Sequence, residues 1–459
     1  MLYLTSQNKV CMQKILVIGA GRSSSSSIKY LLDNAVKEDW LIRVGDMDLE
    51  LAKSKVDNHE RGEAFKFNAL NADERAKEVQ KADFVISMLP ARFHMEVAKD
   101  CIKYKKNVIT PSYVSDEMKE LNEEAKAAGI IIMNEIGVDP GIDHMSAQKV
   151  LDEIEEEGGE MVCFESFTGG LVAPESDDNP WNYKFTWNPR NVVLAGQGGA
   201  AQFIQNHQYK YIPYTKLFRR TEIIEIEGYG KFEGYANRDS LKYRDIYGLE
   251  EIPTIYRGTL RRVGFSRAWN YLITLGMTDD TYTLEDSESM TFREFTNSFL
   301  PYNLHDSVEL KMRSYLQIEQ DDVVWDKLVW LGIFDKTPIG IKNATPAQIL
   351  QHILEQKWTL KEDDKDMIVM SHKFTYYAGG KTKQINSSMV YIGKDQTYTA
   401  MSDTVGLPVA ICSKMILNGT IKLKGVQMPL AKEIYEPVLK ELEEYGVKFT
   451  EKQVEPQLY

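Results

Sequence analysis

Cysteine is scarce in this sequence of 459 residues, and no two cysteines lie close together. The four are Cys11, Cys101, Cys163 and Cys412. Because neither a CxxC pair nor the dense spacing of a disulfide framework is present, the sequence predicts no metal site and no structural disulfides. This cysteine usage is typical of a reducing compartment, so we expect a cytoplasmic location.

Long apolar runs are also missing, although 43% of the residues are hydrophobic. No stretch approaches the roughly 18 consecutive apolar residues of a membrane span, so we expect no membrane partner. The N-terminal stretch MLYLTSQNKVCMQK lacks the basic and apolar regions of a signal peptide. Residues 1–11 are therefore predicted to be an extension that precedes the first strand.

Positive charge is in deficit, with 55 lysines and arginines against 68 acidic residues and a formal net charge of −13. Nucleic acid is thus a poor candidate partner, because phosphate binding needs a basic surface. One local basic cluster, YRGTLRR at residues 256–262, is suited to a small anionic substrate or to a solvated face of the protein. No GxSxG motif occurs, so serine hydrolysis has no support.

What the sequence does contain is a regular alternation of strands and helices over its first 137 residues. Short apolar runs such as ILVIG, LIRVGD and DFVISMLP alternate with segments that place apolar residues at helical spacing. This order predicts right-handed crossovers and a doubly wound parallel α/β sheet, a Rossmann domain. We place this domain at residues 1–139.

The remaining residues predict a second, mixed α/β domain with a helical insertion. Strand-like segments such as MVCFESFTGGL, RTEIIEIEG and TIYRGTLRRVG follow the first domain, and a mostly helical pattern interrupts them. We predict a substrate domain at residues 140–264 and 363–400, a helical insertion at 265–362, and C-terminal helices that return to the Rossmann domain at 401–459.

The first strand ends in a variant of the dinucleotide-binding glycine motif. Its residues are Gly19, Gly21, Arg22, Ser23 and Ser24, with Ser24 at the position of the third glycine. The first glycine permits the tight turn, the second lets the backbone approach a pyrophosphate, and the third position needs a small residue. The serine run that follows is predicted to begin a helix whose N–H groups and hydroxyls face the phosphates.

An acidic residue at the end of the second strand supports this interpretation and bears on the choice of cofactor. Asp46 lies there, with Asp48 as a second candidate, and no lysine or arginine follows until Lys53. A carboxylate at this position bonds a ribose hydroxyl and repels a 2′-phosphate. The predicted cofactor is NAD(P), with NAD favoured by Asp46; a polar strand end is the structural alternative.

Further candidates follow the fourth, fifth and sixth strands, at the sheet edge where such domains bind ligands. They are Ser87, Leu89, Pro90, Ser112, Tyr113, Asp139, Asp143 and His144. The first three are predicted to border the nicotinamide. Asp139 and His144 are acid–base candidates, whereas Asp143 is better interpreted as a helix cap, and a buried structural role is an equal alternative for His144.

Longer motifs show a resemblance to a known family. The stretches NEIGVDPGIDHMSA, SFTGGLVAPESDDNPWNYKFTW, GYANRDSLKYRDIYGL and YRGTLRRVGF occur in this order, and the ending MSDTVGLPVAICSKMILNGTIKLKGVQMPLAKEIYEPVLKELEEYGVKF follows them. Together they resemble the saccharopine dehydrogenase family of the glutamate-forming type, from about Lys14 to Phe449. The helical insertion matches least clearly.

The resemblance implies an activity and a set of site residues. It implies that saccharopine, NAD(P)+ and water are interconverted with glutamate, 2-aminoadipate semialdehyde and NAD(P)H, and that the substrate domain takes part in forming a homodimer. Family binding positions correspond to Ser112, Asp139, Arg238 and the pair Gly169–Gly170. In relatives a cysteine commonly precedes that glycine pair, whereas this chain has Thr168. Relatives also often have an aromatic residue and a proline where this chain has Arg22 and serines, which puts the finer cofactor contacts in doubt.

The chemistry of this amino-acid substrate fits the residue types present. Saccharopine has three carboxylates, and the guanidinium group binds a carboxylate in bidentate fashion, so Arg238, Arg257 and Arg261 are candidate substrate ligands. The alternative for Arg238 is an ion pair with Asp239. Imine formation and hydrolysis need a group that takes and returns protons, for which Asp139 is the first candidate and His144 the second.

Two other functions remain open at the sequence level. One is a dehydrogenase of a related secondary amine such as carboxynorspermidine, against which the several arginines argue. The other is a non-catalytic nucleotide-binding sensor, which would need only the first domain.

Overall fold

The computed structural model describes residues 12–456, so Cys11 and the predicted N-terminal extension lie outside the described residues. The chain begins with alternating strands and helices, which are β1 (Gln13–Ile18), α1 (Ser25–Ala35), β2 (Trp40–Asp46), α2 (Leu49–Val56), β3 (Gly62–Lys66), α3 (Ala72–Lys81), β4 (Phe84–Ser87), α4 (His94–Tyr104), β5 (Asn107–Ile109), α5 (Asp116–Glu120), α6 (Asn122–Ala128), β6 (Ile131–Met133) and α7 (Ile142–Glu156).

Longer strands and a group of helices follow in the middle of the chain. They are β7 (Glu160–Val172), α8 (Pro189–Val193), β8 (Ala201–Gln205), β9 (Gln208–Ile212), α9 (Tyr214–Leu217), β10 (Thr221–Ile226), β11 (Gly230–Ala236), α10 (Tyr243–Ile246), β12 (Thr254–Arg262), α11 (Phe265–Leu275), α12 (Phe292–Ser298), α13 (Val308–Leu316), α14 (Val323–Trp330), α15 (Pro346–Trp358), β13 (Asp366–Ala378) and β14 (Lys381–Ile392). The C-terminal elements are α16 (Ala400–Leu417), β15 (Gly425–Gln427), α17 (Lys432–Glu444) and β16 (Thr450–Val454).

The described residues divide into two compact units, and the first contains residues 12–149 and 401–447. Its sheet has seven strands in the order β15-β6-β5-β4-β1-β2-β3, and every neighbouring pair is parallel. The order reverses between β1 and β4, where doubly wound sheets bind dinucleotides. The predicted Rossmann fold is therefore confirmed, and β15 adds a seventh strand that the sequence pattern did not indicate.

The C-terminal helix α16 packs closely on α1 within this unit. A Cβ atom added at Gly406 would lie 2.7 Å from the backbone nitrogen of Ser27, so the two helices approach almost to backbone contact. By length and composition α16 could cross a membrane, but 78% of it is buried inside the protein, which is typical of a core helix.

The second unit contains residues 150–400 and 448–456. Its sheet runs in the order β10-β11-β12-β7-β13-β14-β16, with the β8–β9 hairpin attached to β12. All of these pairs are antiparallel except β12 with β7. An aromatic core in which Trp181, Trp269 and Trp358 are completely buried joins the sheet to helices α11–α15.

One part of the predicted domain division needs correction. Residues 448–456 were expected to return to the Rossmann domain as part of a helical segment, whereas they form β16 and pair with β14 in the second unit. Four of the five β16 residues are exposed, so apolar periodicity could not reveal the strand. The predicted boundaries at residues 139, 264 and 362 stay predictions; the helices at 265–358 lie in the same unit as the second sheet.

Candidate active site

The glycine loop after β1 leaves backbone donors available for an anion. Gly19 has φ +102°, and a Cβ there would lie 3.1 Å from the carbonyl oxygen of Met88, so only glycine fits. A short 3₁₀ turn, Arg22–Ser24, leads into α1. Within residues 12–456, the N–H groups of Gly21, Arg22 and Ser23 have no hydrogen-bond partner. Three such donors at the start of a helix fit the pyrophosphate of a dinucleotide.

The serine hydroxyls in this run are bonded inside the protein. Ser24 donates to the carbonyl oxygen of Gly21 at 2.7 Å, Ser25 to Arg22 at 3.2 Å, and Ser27 to Ser24 at 2.9 Å. Residues Ser24 to Ser27 are buried, whereas Ser23 is half-buried. We expected these hydroxyls to face the phosphates. In the structure they bond backbone carbonyl groups instead, and the backbone amides are the available donors. The cofactor role of Ser23 and Ser24 stays a prediction.

Asp46 connects the end of β2 to the glycine loop. Its two carboxylate oxygens accept hydrogen bonds from the N–H groups of Ala20, at 2.7 Å, and Asp48, at 2.9 Å. Asp48 in turn caps α2 by accepting from the N–H groups of Glu50 and Leu51. Asp48 is therefore a helix cap. Asp46 lies beside the glycine loop, where a ribose-binding carboxylate is expected, but both of its oxygens already accept backbone N–H bonds, so its cofactor role stays a prediction beside the alternative of a polar strand end.

Two cations lie near the same loop. The Arg22 side chain is exposed and makes no ion pair within the described part of the chain. Lys55 donates to the Ser25 hydroxyl at 2.7 Å, and burial lowers the pKa of its ammonium group. The loop environment is therefore of mixed charge rather than uniformly acidic.

At the ends of β4 and β5, Ser87 and Ser112 are connected by a histidine that the sequence did not single out. His94 Nδ1 lies 2.9 Å from the Ser87 hydroxyl, and its Nε2 lies 2.8 Å from the Ser112 hydroxyl. Leu89 packs against the core of the first unit, and Pro90 is exposed before a short 3₁₀ turn. A lone histidine in the segment ARFH carries no motif, which is why sequence reasoning missed it.

After β6, the two acid–base candidates differ sharply in exposure and contacts. The Tyr113 hydroxyl donates to Asp139 Oδ1 at 3.0 Å, and Asp139 is partly exposed. His144 is fully buried, with Nε2 at 2.8 Å from Glu135 Oε2. Glu135, also missed, has a left-handed backbone with φ +57°. This geometry favours Asp139 over His144 as the group that meets a substrate.

Asp143 acts within its own loop. Its Oδ1 accepts from the N–H of Gly141 at 2.6 Å, just before α7 begins. Gly141 has φ +147°, and a Cβ there would lie 2.2 Å from the carbonyl oxygen of Gly137. Asp143 therefore holds the turn that follows Asp139. The helix begins at Ile142 rather than at His144, so Asp143 lies in its first turn instead of preceding it as the predicted cap.

In the second unit, Arg238 follows the end of β11, and Arg257 lies on the neighbouring strand β12. Arg238 is exposed and left-handed, with φ +47°, and it forms no ion pair with Asp239 among the described residues. The carboxylate of Asp239 accepts from the N–H of Leu241 instead. Arg257 is buried, and its guanidinium lies 4.0 Å from the centre of the Tyr243 ring. The N–H of Asn237 donates to the carbonyl oxygen of Arg257, which holds the backbone that precedes Arg238 against β12.

Arg261 lies four residues further along β12, in different surroundings. Its guanidinium lies 5.0 Å from the Tyr183 ring and 5.4 Å from the Phe265 ring, and it donates to the carbonyl oxygen of Leu260. Only 4% of Arg261 is exposed. Four residues of strand place Arg261 about 13 Å from Arg257 along β12. The structure therefore does not bring Arg261 to the end of the strand where Arg257 lies opposite the segment that precedes Arg238.

The glycine pair lies on β7, next to β12. Thr168 is buried and pairs with Thr259 of β12, while Gly169 and Gly170 pair with Val369 and Ile368 of β13. A Cβ at Gly169 would lie 2.7 Å from the carbonyl oxygen of Leu260, so this glycine is required for strand packing.

Two protein-family models match this chain, and together they cover most of it. The "Saccharopine dehydrogenase NADP binding domain" matches residues 15–133, and the "Saccharopine dehydrogenase C-terminal domain" matches residues 137–447. The chain belongs to the saccharopine dehydrogenase family. The resemblance predicted from the sequence motifs is therefore confirmed.

Relatives within the saccharopine dehydrogenase family are similar over nearly the whole chain. "Saccharopine dehydrogenase [NADP(+), L-glutamate-forming]" of Pyricularia oryzae is 34% identical over 96% of this chain and 99% of its own. The protein of that name from Saccharomyces cerevisiae is 36% identical over 81% of this chain and 84% of its own. "Alpha-aminoadipic semialdehyde synthase, mitochondrial" of Rattus norvegicus is 30% identical over 95% of this chain, which spans 47% of that protein.

A solved structure of the family confirms the fold. The apo L-Glu-forming saccharopine dehydrogenase from Saccharomyces cerevisiae superposes with a TM-score of 0.88 at 32% identity, covering 96% of this chain and 100% of that chain.

Proposed function

We propose that this chain is an NAD(P)-dependent oxidoreductase that interconverts saccharopine and water with L-glutamate and 2-aminoadipate 6-semialdehyde, in lysine metabolism. The observation that carries the proposal is the 34% identity to an L-glutamate-forming saccharopine dehydrogenase across 96% of the chain. The unpaired amides of the glycine loop supply the donors that the dinucleotide needs. When bound, the dinucleotide accepts a hydride from the carbon that carries the secondary amine.

Asp139 is proposed as the acid–base group of this reaction. It takes the proton of the substrate amine and releases it to solvent. It then takes a proton from the water that adds to the imine carbon and returns that proton to the nitrogen of the departing glutamate. Its carboxylate is held by the Tyr113 hydroxyl at 3.0 Å, which orients one oxygen and leaves the group partly exposed. His144 is proposed to act only as the buried partner of Glu135.

The carboxylates of saccharopine require fixed cations, and the second unit supplies them. Arg238 is the strongest candidate, because its guanidinium is exposed and without an acidic partner among the described residues. Arg257, on the neighbouring strand β12, is a second candidate and is pre-oriented by stacking on Tyr243. Arg261 is a weaker candidate because aromatic rings enclose it. Ser112, Tyr113, Thr168, Gly169 and Gly170 complete the proposed substrate set.

NAD is proposed as the preferred dinucleotide. Asp46 presents a carboxylate beside the glycine loop, where it would accept from the ribose hydroxyls and repel a 2′-phosphate. The names of the fungal relatives specify NADP(+). The opposite preference would act through Arg22, the exposed cation of the same loop.

A cytoplasmic location and a homodimeric assembly are also proposed. Cys101, Cys163 and Cys412 are buried free thiols, which suits the reducing cytoplasm. A homodimer is proposed from the family resemblance and is tested by measuring the mass of the purified protein in solution. The net charge of −13 argues against nucleic acid as a partner.

One assay tests the proposed activity directly. Purified protein is incubated with saccharopine and either NAD+ or NADP+, and the reduced nicotinamide is followed by absorbance at alkaline pH. We expect reduction with at least one dinucleotide and faster reduction with NAD+. Absence of reduction with both would overturn the activity, while reduction only with carboxynorspermidine would assign the related secondary-amine reaction instead.

A further inference from the structure

We propose that His94 is a positioning residue that fixes the Ser112 hydroxyl for substrate binding. No role for this residue follows from the sequence motifs, and the inference rests on the proposed function, in which Ser112 binds saccharopine. It differs from the proposed acid–base chemistry because His94 acts through another side chain.

The contacts of His94 join three strand-end hydroxyl groups. Its Nδ1 lies 2.9 Å from the Ser87 hydroxyl at the end of β4. Its Nε2 lies 2.8 Å from the Ser112 hydroxyl and 3.0 Å from the Thr110 hydroxyl, both just after β5. One imidazole ring at the start of α4 therefore holds both strand ends in register.

The protonation state of His94 suits positioning rather than proton transfer. The ring is 5% exposed, and burial lowers its pKa to about 4. At the near-neutral pH of the cytoplasm it is neutral, with one N–H donor and one acceptor nitrogen. No acidic side chain is within hydrogen-bond distance of the ring in residues 12–456 to favour the charged form. The ring can therefore bond two hydroxyls at once but cannot supply charge.

A second set of contacts fixes the backbone of the same loop. The carbonyl oxygen of Ser112 accepts from the N–H of Glu135 at 3.0 Å, and the N–H of Val114 donates to Glu135 Oε1 at 2.9 Å. The backbone of residues 112–114 is thus held by Glu135, which leaves the rotation of the Ser112 side chain to be set by His94. Because Ser112 is half-buried and not enclosed, without the imidazole its hydroxyl would populate other rotamers.

A double-mutant cycle separates positioning from a general structural role. We expect His94→Ala to lower kcat/KM for saccharopine by about 10²-fold, since small misplacements of a binding group have effects of this size. His94→Gln, which retains one donor and one acceptor, should recover part of the loss. In a Ser112→Ala background, His94→Ala should have less than about a 2-fold further effect, because its target is gone.

Controls and contrary outcomes are defined by the same set of proteins. His305→Gln, an exposed histidine in the second unit, should match wild type. The proposal would be overturned if the effects of His94→Ala and Ser112→Ala on kcat/KM were fully additive. It would also be overturned if His94→Gln shifted either limb of the pH–rate profile. If His94→Ala does not fold, the double-mutant cycle is measured with His94→Gln and Ser112→Ala instead.

Inactivity of the wild type on saccharopine would overturn the proposed function rather than the contact. The ¹⁵N resonance of His94 Nε2 would then report the contact by itself. We expect Ser112→Ala to shift that resonance, and an unchanged resonance would show that His94 does not hold the Ser112 hydroxyl.

Discussion

The Ser26 hydroxyl donates to Asp403 Oδ1 at 2.5 Å, although 377 positions separate the two residues. The Ser402 hydroxyl lies 2.8 Å from the same Ser26 oxygen and also accepts from the Ser26 N–H. Ser26, Ser402 and Asp403 are all buried. The middle of the serine run thus bonds α1 to the start of α16, and its small side chains permit the close approach at Gly406.

Removal of the Ser26 hydroxyl should destabilise the first unit. Ser26→Ala deletes a hydrogen bond to a buried carboxylate, and bonds to charged groups contribute about 1.5–3 kcal/mol to the free energy of unfolding. Urea unfolding measures the change. Ser54→Ala, an exposed serine that donates within α2, is the matched control and should change stability by less than about 0.5 kcal/mol. If Ser26→Ala and Ser54→Ala lowered the free energy of unfolding equally, the hydrogen bond from Ser26 to Asp403 would not stabilise the first unit as we expect.

Gly406→Ala tests the close approach of the two helices by the sign of its effect. In an open helix position this change stabilises by about 1 kcal/mol, because alanine has the higher helix propensity. Here the new Cβ would lie 2.7 Å from the Ser27 nitrogen, so one helix must move. We expect a loss of about 1–3 kcal/mol, together with weaker NAD+ binding, since α1 follows the phosphate loop. Increased stability would refute this packing.

Glu222 should make the stability of the second unit depend on pH. Burial, and next the nearby carboxylate of Glu165, raise the pKa of Glu222 from 4.5 to about 7. The folded state therefore holds this proton more tightly than the unfolded state, and the resulting stabilisation is present below pH 4.5 and is lost as the pH rises towards 7.

Glu222→Gln is the variant that checks this dependence. Compared with wild type, it should show a smaller fall in the free energy of unfolding between about pH 4.5 and 7. Glu225→Gln, on the exposed side of the same strand, should retain the wild-type profile. If the Glu222→Gln and wild-type profiles were parallel over this range, the raised pKa would be incorrect.

The sequence predicted the elements whose apolar residues are continuous or periodic. Strands β1, β2 and β4 are nearly fully buried runs, and their spacing is enough to indicate a parallel sheet. Strand β15 has only three residues, and β16 is almost entirely exposed. Their pairing depends on backbone hydrogen bonds to distant strands, which leave no hydrophobic pattern in the sequence.

The candidate site was predictable where function requires a residue type in a fixed sequence context. The glycine loop, Asp46 and Asp139 could be named as candidates because a turn, a ribose contact or a strand end calls for their residue types, and their roles stay predictions. His94 and Glu135 were missed because their roles arise from neighbours in space. The packing role of the serine run was not predicted for the same reason, since Asp403, the partner of Ser26, lies near the other end of the chain.

The choice between NAD and NADP can be tested at Asp46 without disturbing the glycine loop. Asp46→Asn keeps an oxygen that can accept from the Ala20 N–H but removes the negative charge that would repel a 2′-phosphate. We expect the ratio of kcat/KM for NADP+ to that for NAD+ to rise by about tenfold or more, which corresponds to ~1.4 kcal/mol. Asp48→Asn is the matched control, because asparagine also caps a helix and the Asp48 carboxylate accepts from the N–H groups of Glu50 and Leu51 in the first turn of α2. An unchanged cofactor ratio in Asp46→Asn, or a strong NADP+ preference in the wild type, would overturn the proposed role of Asp46 in selecting NAD and leave its carboxylate the role of holding the loop.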